Sequence, residues 1–167
     1  MIILGIDPGY AIVGWGVLEY KNNHFKVIDF GAITTKAGEY FPKRLDDIFT
    51  QLNQIIERYH PQVLSMEKIF YNSNAKTVID VSQARGVITL AAYSKGLQIA
   101  EYTPLQVKQS VVGYGRAEKK QVQEMTRTIL GLEKVPKPDD TADALAMAIC
   151  HGHSSGSLLQ NMKGRTW

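Results

Sequence analysis

Ile2-Ile3-Leu4-Gly5-Ile6 runs without a polar interruption into Asp7-Pro8-Gly9. A short segment apolar at every position, closed by turn residues, reads as a buried strand entering a turn. A carboxylate at the end of such a strand, as at Asp7, lies either buried or at the rim of a sheet. The strand needs neighbours, and the next residues supply them. Ile12 to Tyr20 is a second strand, in which Gly14 and Gly16 leave room for a close neighbour. Lys21-Asn22-Asn23-His24 is polar turn material, and Phe25 to Thr34 completes an antiparallel hairpin.

The period then becomes helical. Leu45, Ile48, Phe49, Leu52, Ile55 and Ile56 predict an amphipathic helix over Phe41 to Tyr59, stopped by Pro61. Val63-Leu64-Ser65-Met66 is another buried strand, ending in Glu67. Val78, Val81, Ile88 and Ala92 fall on one side of a helix from about Ala75 to Ser94. Leu97 to Tyr102 is a fifth strand. Thr103 is then an N-cap, with Pro104 at the first helical position and Gln106 placed for a capping box. Gly113-Tyr114-Gly115-Arg116 breaks that helix, and another starts near Ala117 with Val122, Met125 and Ile129 inward. The last helix runs from Asp139 to about His151, burying Ala142, Leu145, Ala146 and Ile149. The order βββαβαβααα describes one α/β domain over residues 1–153, a five-stranded mixed sheet with its first three strands antiparallel and helices around it. From Ser154 the composition turns to Gly, Ser and isolated basic residues, and a flexible tail over 154–167 is expected.

Bulk properties exclude several classes. The 167 residues suffice for one well-buried core, and 44% hydrophobic with 21% charged residues is a globular balance. Cys150 is the single cysteine, so no intrachain disulfide can form. The first apolar run is far too short for a signal peptide, and no stretch nears the ~20 apolar residues that span a bilayer. A cytoplasmic protein without membrane contact is expected. A net charge of +3 raises the expectation of an anionic partner without specifying one.

Four acids stand out by position. Asp7 and Glu67 each end an apolar strand, while Asp140 and Asp143, preceded by Asp139, stand at i and i+3 on one helix face. Carboxylates gathered in one place repel each other unless a cation lies between them. An all-oxygen set suits Mg²⁺ or Mn²⁺, and two such ions ~4 Å apart can hold a phosphodiester and activate water. Each acid alone has an ordinary explanation: Asp-Pro-Gly is a common turn, and Asp139 and Asp140 favour a helix N-terminus. Together they are more specific, although spacing alone does not show that they converge.

Longer segments carry a resemblance. Gly5-Ile6-Asp7-Pro8-Gly9, Met66-Glu67-Lys68-Ile69-Phe70, Gln83-Ala84-Arg85-Gly86, Gln106-Val107-Lys108-Gln109 with Val111-Val112-Gly113, Ala117-Glu118-Lys119, and Asp140 through Ala146 occur in order. From Ile3 to about His153 the chain resembles the RuvC family of bacterial Holliday-junction resolvases, within the ribonuclease-H-like superfamily. The resemblance implies an endonuclease that resolves four-way DNA junctions by paired symmetric nicks, leaving 5′-phosphate and 3′-hydroxyl ends. It implies Asp7, Glu67, Asp140 and Asp143 as ligands of Mg²⁺, two ions per site, with Mn²⁺ able to substitute. It gives Lys108 and Lys119 to the active site or DNA backbone, and Phe70 to the junction's bases. The resemblance assigns no role to Tyr71 beside it. The expected partners are a second copy of the chain and a branch-migration helicase complex.

Lys108, Arg116, Lys119 and Lys120 flank the glycine-rich loop and suit DNA phosphates, though lysines are ordinarily solvated surface. Cys150, His151 and His153 lack a second ligand pair and do not suggest zinc. Two rivals remain: a sugar-kinase or actin-like ATPase, which needs two lobes and an adenosine site, and a junction-binding protein without catalysis.

Overall fold

The computed structural model describes residues 1–68 and 75–163, with side chains for 1–68 and 78–155, so Phe70 and Tyr71 lie outside it. Its elements are β1 (Ile2–Asp7), β2 (Ile12–Lys21), β3 (His24–Thr34), α1 (Phe41–Tyr59), β4 (Val63–Glu67), α2 (Ala75–Ser94), β5 (Gln98–Tyr102), α3 (Pro104–Val112), α4 (Lys119–Ile129) and α5 (Asp139–Lys163). The five strands form one sheet in the order β3-β2-β1-β4-β5. β1–β2 and β2–β3 pair antiparallel, while β1–β4 and β4–β5 pair parallel. This is the expected mixed sheet.

Alternation along the strands divides the core in two. Leu4, Ile6, Val13, Val17, Leu64 and Met66 pack with Ile48, Leu52 and Ile56 of α1 and Ala84, Ile88 and Ala92 of α2. Ile3, Leu18 and Val63 face the other way, against Leu145, Ala148 and Ile149 of α5. By the registers Asp7↔Gly14, Gly5↔Gly16 and Gly5↔Ser65, the residues Asp7 and Glu67 share this second face with Ser65 and the three glycines Gly5, Gly14 and Gly16.

The glycines determine how near α5 comes. A Cβ on Gly5 would overlap the Ala144 carbonyl oxygen, and one on Gly14 would overlap the Asp140 carbonyl. On Gly16 it would meet the Leu145 side chain. The helix therefore lies on the bare backbone of β1 and β2. Two bonds fix it there: Ser65 Oγ donates to the Met147 carbonyl at 2.8 Å, and Thr141 Oγ1 to the Gly31 carbonyl at 3.0 Å.

Three expectations need correction. Phe49 and Met125 are exposed, because α1 turns Arg44, Ile48, Leu52 and Ile56 inward and α4 turns Val122, Gln123 and Thr126 inward. The buried face of α5 is not a stripe, since residues 144–152 are all buried between the sheet and α3 and α4. Finally, α5 does not stop near His151 but continues to Lys163. No proline interrupts it, and Ser155 Oγ bonds back to the Gly152 carbonyl at 2.8 Å within the helix. No helix among the described residues is long and apolar enough to cross a membrane.

Candidate active site

Where β1 and β4 end at their carboxyl sides, the sheet opens into a cleft of about 190 Å³. Crevices outside the carboxyl ends of strands are where open α/β sheets hold ligands. The lining includes Asp7, Glu67, Asp143, Lys108 and Lys119, over an apolar floor of Val107, Val122, Ala146 and Met147. The volume is below the ~300 Å³ at which pockets for drug-sized ligands begin, so it suits ions, water and a phosphate better than a nucleoside. That weighs against the ATPase reading.

Each wall has a local cause. Asp7 reaches the cleft because it shares a face with Gly5, on which α5 rests. Asp143 stands one turn into α5 and joins the same lining. The α3 wall begins with the expected capping box: Thr103 Oγ1 accepts from the Gln106 N–H at 3.1 Å, and Gln106 Oε1 from the Thr103 N–H at 2.8 Å. This turns α3 so that Val107 is buried and Lys108 lines the opening. Lys119 is the first residue of α4, and its Nζ lies 2.8 Å from Asp143 Oδ2.

The electrostatics are those of crowded negative charge. Burial, followed by the charges of Asp143, Asp140 and Glu67, pushes the Asp7 carboxyl up to about 7, against the pull of Lys119. Glu67 is also raised, first by burial and then by Asp143, with Arg85 opposing. Lys119 is held protonated above its usual range, chiefly by its hydrogen bond to Asp143. Among the described residues, no three Asp, Glu, His or Cys side chains stand at metal-holding separations. The donor set nevertheless fits a hard cation: it is all oxygen, and its most buried member is too crowded to ionise freely at neutral pH.

The cleft thus gathers Asp7, Glu67, Asp143, Lys108 and Lys119. Asp140 does not line it; its backbone sits against Gly14, and its charge is felt at Asp7. Arg116 and Lys120 are exposed and stand outside the lining. Cys150 and His151 are buried, with Tyr102 hydroxyl 2.8 Å from His151 Nδ1, while His153 Nδ1 lies 3.1 Å from the Ser110 carbonyl. Sequence reasoning placed Arg85 in the segment Gln83-Ala84-Arg85-Gly86 but gave it no role; its guanidinium donates to the Glu67 carbonyl. Its signal was an arginine at a buried helical position between Ala84 and Ile88.

The family model of the crossover junction endodeoxyribonuclease RuvC matches residues 3–151. The RuvC of Clostridioides difficile is 55% identical over 167 residues, covering 99% of both chains. That of Alkaliphilus oremlandii is 56% identical over 154 residues, covering 92% of this chain and 94% of its own. Thermus thermophilus RuvC superposes with a TM-score of 0.87 at 31% identity, covering 94% of this chain and 96% of its own. The same protein in complex with a Holliday junction substrate gives 0.86 at 28% identity, with the same coverage. The yeast mitochondrial resolvase Ydc2, at 15% identity and a TM-score of 0.71, shares the fold. A family model matched across all five strands and the acid-bearing start of α5, with relatives alike along nearly their whole length, shows that the chain belongs to the RuvC family.

Proposed function

We propose that this protein is a crossover junction endodeoxyribonuclease that cuts phosphodiesters in four-way DNA junctions. The observation that carries the reading is the cleft at the ends of β1 and β4, where Asp7, Glu67 and Asp143 face Lys119. Asp7, Glu67, Asp140 and Asp143 are the residues that would hold Mg²⁺, or Mn²⁺ in its place, as a pair of ions. Such ions, when bound, stabilise charge on phosphoryl oxygens and acidify water.

The chain's own residues do the rest. Lys119 pairs with Asp143 at 2.8 Å, and with a cation held by Asp143 its ammonium would be available to offset charge on the scissile phosphate. Lys108, on the neighbouring wall, is placed for the DNA backbone. The apolar floor of Val107, Val122, Ala146 and Met147 keeps bulk water from the base of the cleft, where charge interactions are then stronger. Arg116 and Lys120, exposed beyond the lining, serve approach to the duplex arms, and Phe70 the bases at the junction centre. The products carry 5′-phosphate and 3′-hydroxyl ends.

The working unit is a homodimer. A four-way junction has two-fold symmetry, and a C₂ dimer offers it two equivalent sites for paired nicks. A surface suited to pairing runs along α2, where Ile79, Leu90 and Tyr93 are 66%, 61% and 73% exposed at helical spacing. Gly86 lies between them with open space where a side chain would stand. A cytoplasmic location and a branch-migration helicase complex as partner complete the reading, on the resemblance alone.

The test is a synthetic mobile four-way junction, incubated with the purified protein with and without Mg²⁺. Metal-dependent nicks at symmetric positions in two opposed strands are expected. Tight junction binding without cleavage under any divalent cation would instead make this a binding protein.

A further inference from the structure

The guanidinium of Arg85 lies almost wholly inside the protein, with the residue only 8% exposed. It has two partners on two strands. Nη1 donates to the backbone carbonyl of Glu67 at the end of β4, and Nη2 pairs with Glu101 Oε1 on β5. Those strands are neighbours, with Met66 opposite Glu101 and Glu67 opposite Tyr102. The next bond along the chain, from the Lys68 N–H to the Tyr102 carbonyl at 2.8 Å, is the last tie between these strands before residue 69. The peptide joining Glu67 to Lys68 is therefore tied through its N–H to β5 and through its carbonyl to one arginine of α2. A planar fork suits this task, because two fixed donors reach two acceptors at once.

The outward side of the same helix is different in character. Arg85 also lines a shallow recess on α2 with Ser82, Gly86, Thr89, Leu90 and Tyr93. Leu90 and Tyr93 are among the most exposed large apolar residues of the described chain. One residue thus touches both the stripe suited to a second copy and the backbone of a cation-binding carboxylate.

We propose that Arg85 is a positioning residue that couples pairing of two copies across α2 to cation binding at Glu67. The inference rests on the cation-binding and homodimer readings above. A second copy seated on Leu90 and Tyr93 restricts how α2 lies on the sheet. The position of α2 sets the height of the guanidinium, and the guanidinium sets the Glu67 main chain. Small hard cations demand near-ideal oxygen geometry, so small displacements of one ligand register as affinity. Coupling of this kind is reciprocal: if pairing tightens cation binding, the cation tightens pairing by the same factor.

The experiment uses the full chain without DNA. Mn²⁺ binding is read by electron paramagnetic resonance, and the dimer dissociation constant by sedimentation with and without Mn²⁺. The wild type is expected to dimerise more tightly in Mn²⁺. Arg85→Gln should remain folded by circular dichroism, weaken Mn²⁺ binding by about 10- to 100-fold, the usual effect of losing a group that supports a ligand, and remove the influence of Mn²⁺ on dimerisation. Leu90→Glu should be monomeric and bind Mn²⁺ more weakly than the wild-type dimer. If Arg85→Gln does not fold, Glu101→Gln, which releases the other arm of the fork, carries the same expectation. Wild-type Mn²⁺ affinity in a folded Arg85→Gln protein, or in a monomeric Leu90→Glu protein, overturns the proposal. A wild type that never dimerises, or never binds Mn²⁺, sinks the underlying reading instead, and each shows in its own measurement.

Discussion

Lys119 Nζ and Asp143 Oδ2 stand 2.8 Å apart, joining the first residue of α4 to the second turn of α5 across the mouth of the cleft. The side chains are 58% and 25% exposed, and pairs in such surroundings contribute ~0–1 kcal/mol to stability. Stability is a poor reason for the contact, and catalysis a better one. Lys119→Ala should leave melting within a few degrees of wild type. It should slow single-turnover cleavage by about 10²–10³-fold, the usual loss when a preorganised donor to developing charge is removed. Because Asp143 is then free for cations, added Mg²⁺ should not restore the rate. Full rescue at high Mg²⁺ would make Lys119 an aid to cation binding instead.

Asp7→Asn should abolish cleavage while preserving junction binding, since the amide keeps the shape without the charge. Its stability has a pH signature. The folded chain keeps the Asp7 proton until about pH 7, whereas the unfolded chain releases it near 3.8. Between those values the unfolded state binds fewer protons, so this group makes metal-free stability fall as pH rises. The effect is bounded above by about 4 kcal/mol, at 1.36 kcal/mol per unit. In chelator at pH 8, Asp7→Asn should therefore melt above the wild type, and saturating Mg²⁺ should narrow or reverse the gap. Identical melting curves across pH 4–8 in chelator would contradict the crowding described for this site.

Gly14→Ala adds one methyl where the Asp140 carbonyl lies, and neither backbone can yield cheaply. Overpacking of this kind costs about 1–3 kcal/mol, and here the strain falls on the acid-bearing turn of α5. A lowered melting temperature is expected, with cleavage reduced beyond the unfolded fraction. Wild-type melting and cleavage would mean that α5 is not held against the β2 backbone.

Phe70 follows Glu67 by three residues in sequence. Phe70→Ala should impair cutting of intact junctions more than of junctions already opened at the centre, because stacking on a base contributes ~1–3 kcal/mol. A core phenylalanine would instead cost ~3–5 kcal/mol of stability. A large fall in melting temperature without rescue on the opened substrate would give Phe70 to the core.

Much of this arrangement was legible in the residues themselves. Periodicity set α1 at its observed bounds, and Thr103, Pro104 and Gln106 announced the start of α3. Gly14 and Gly16 advertised a close neighbour, although not which one. Residues that break a pattern were harder. Phe49 and Met125 look like core by type, yet each lies off the face that its helix turns inward. Arg85 looks like surface by type, but is buried because acceptors on β4 and β5 await it. That Asp7, Glu67 and Asp143 meet is a fact of sheet register and helix docking, which residue spacing does not encode. For the same reason Asp140 could not be told apart from Asp143, although only Asp143 lines the cleft.

The seating of α5 on bare glycine backbone has a consequence for how the enzyme is made. Asp7 leaves the ribosome well before Asp143, and the surface that brings them together does not exist until α5 has been synthesised and docked. Synthesis runs from the N-terminus while a domain generally folds as a unit, so a nascent chain that already holds the hairpin and β4 still lacks one side of its cleft. Chains interrupted before α5 carry Asp7 and Glu67 without Asp140 and Asp143, and on the proposed reading such fragments are expected to cut no DNA.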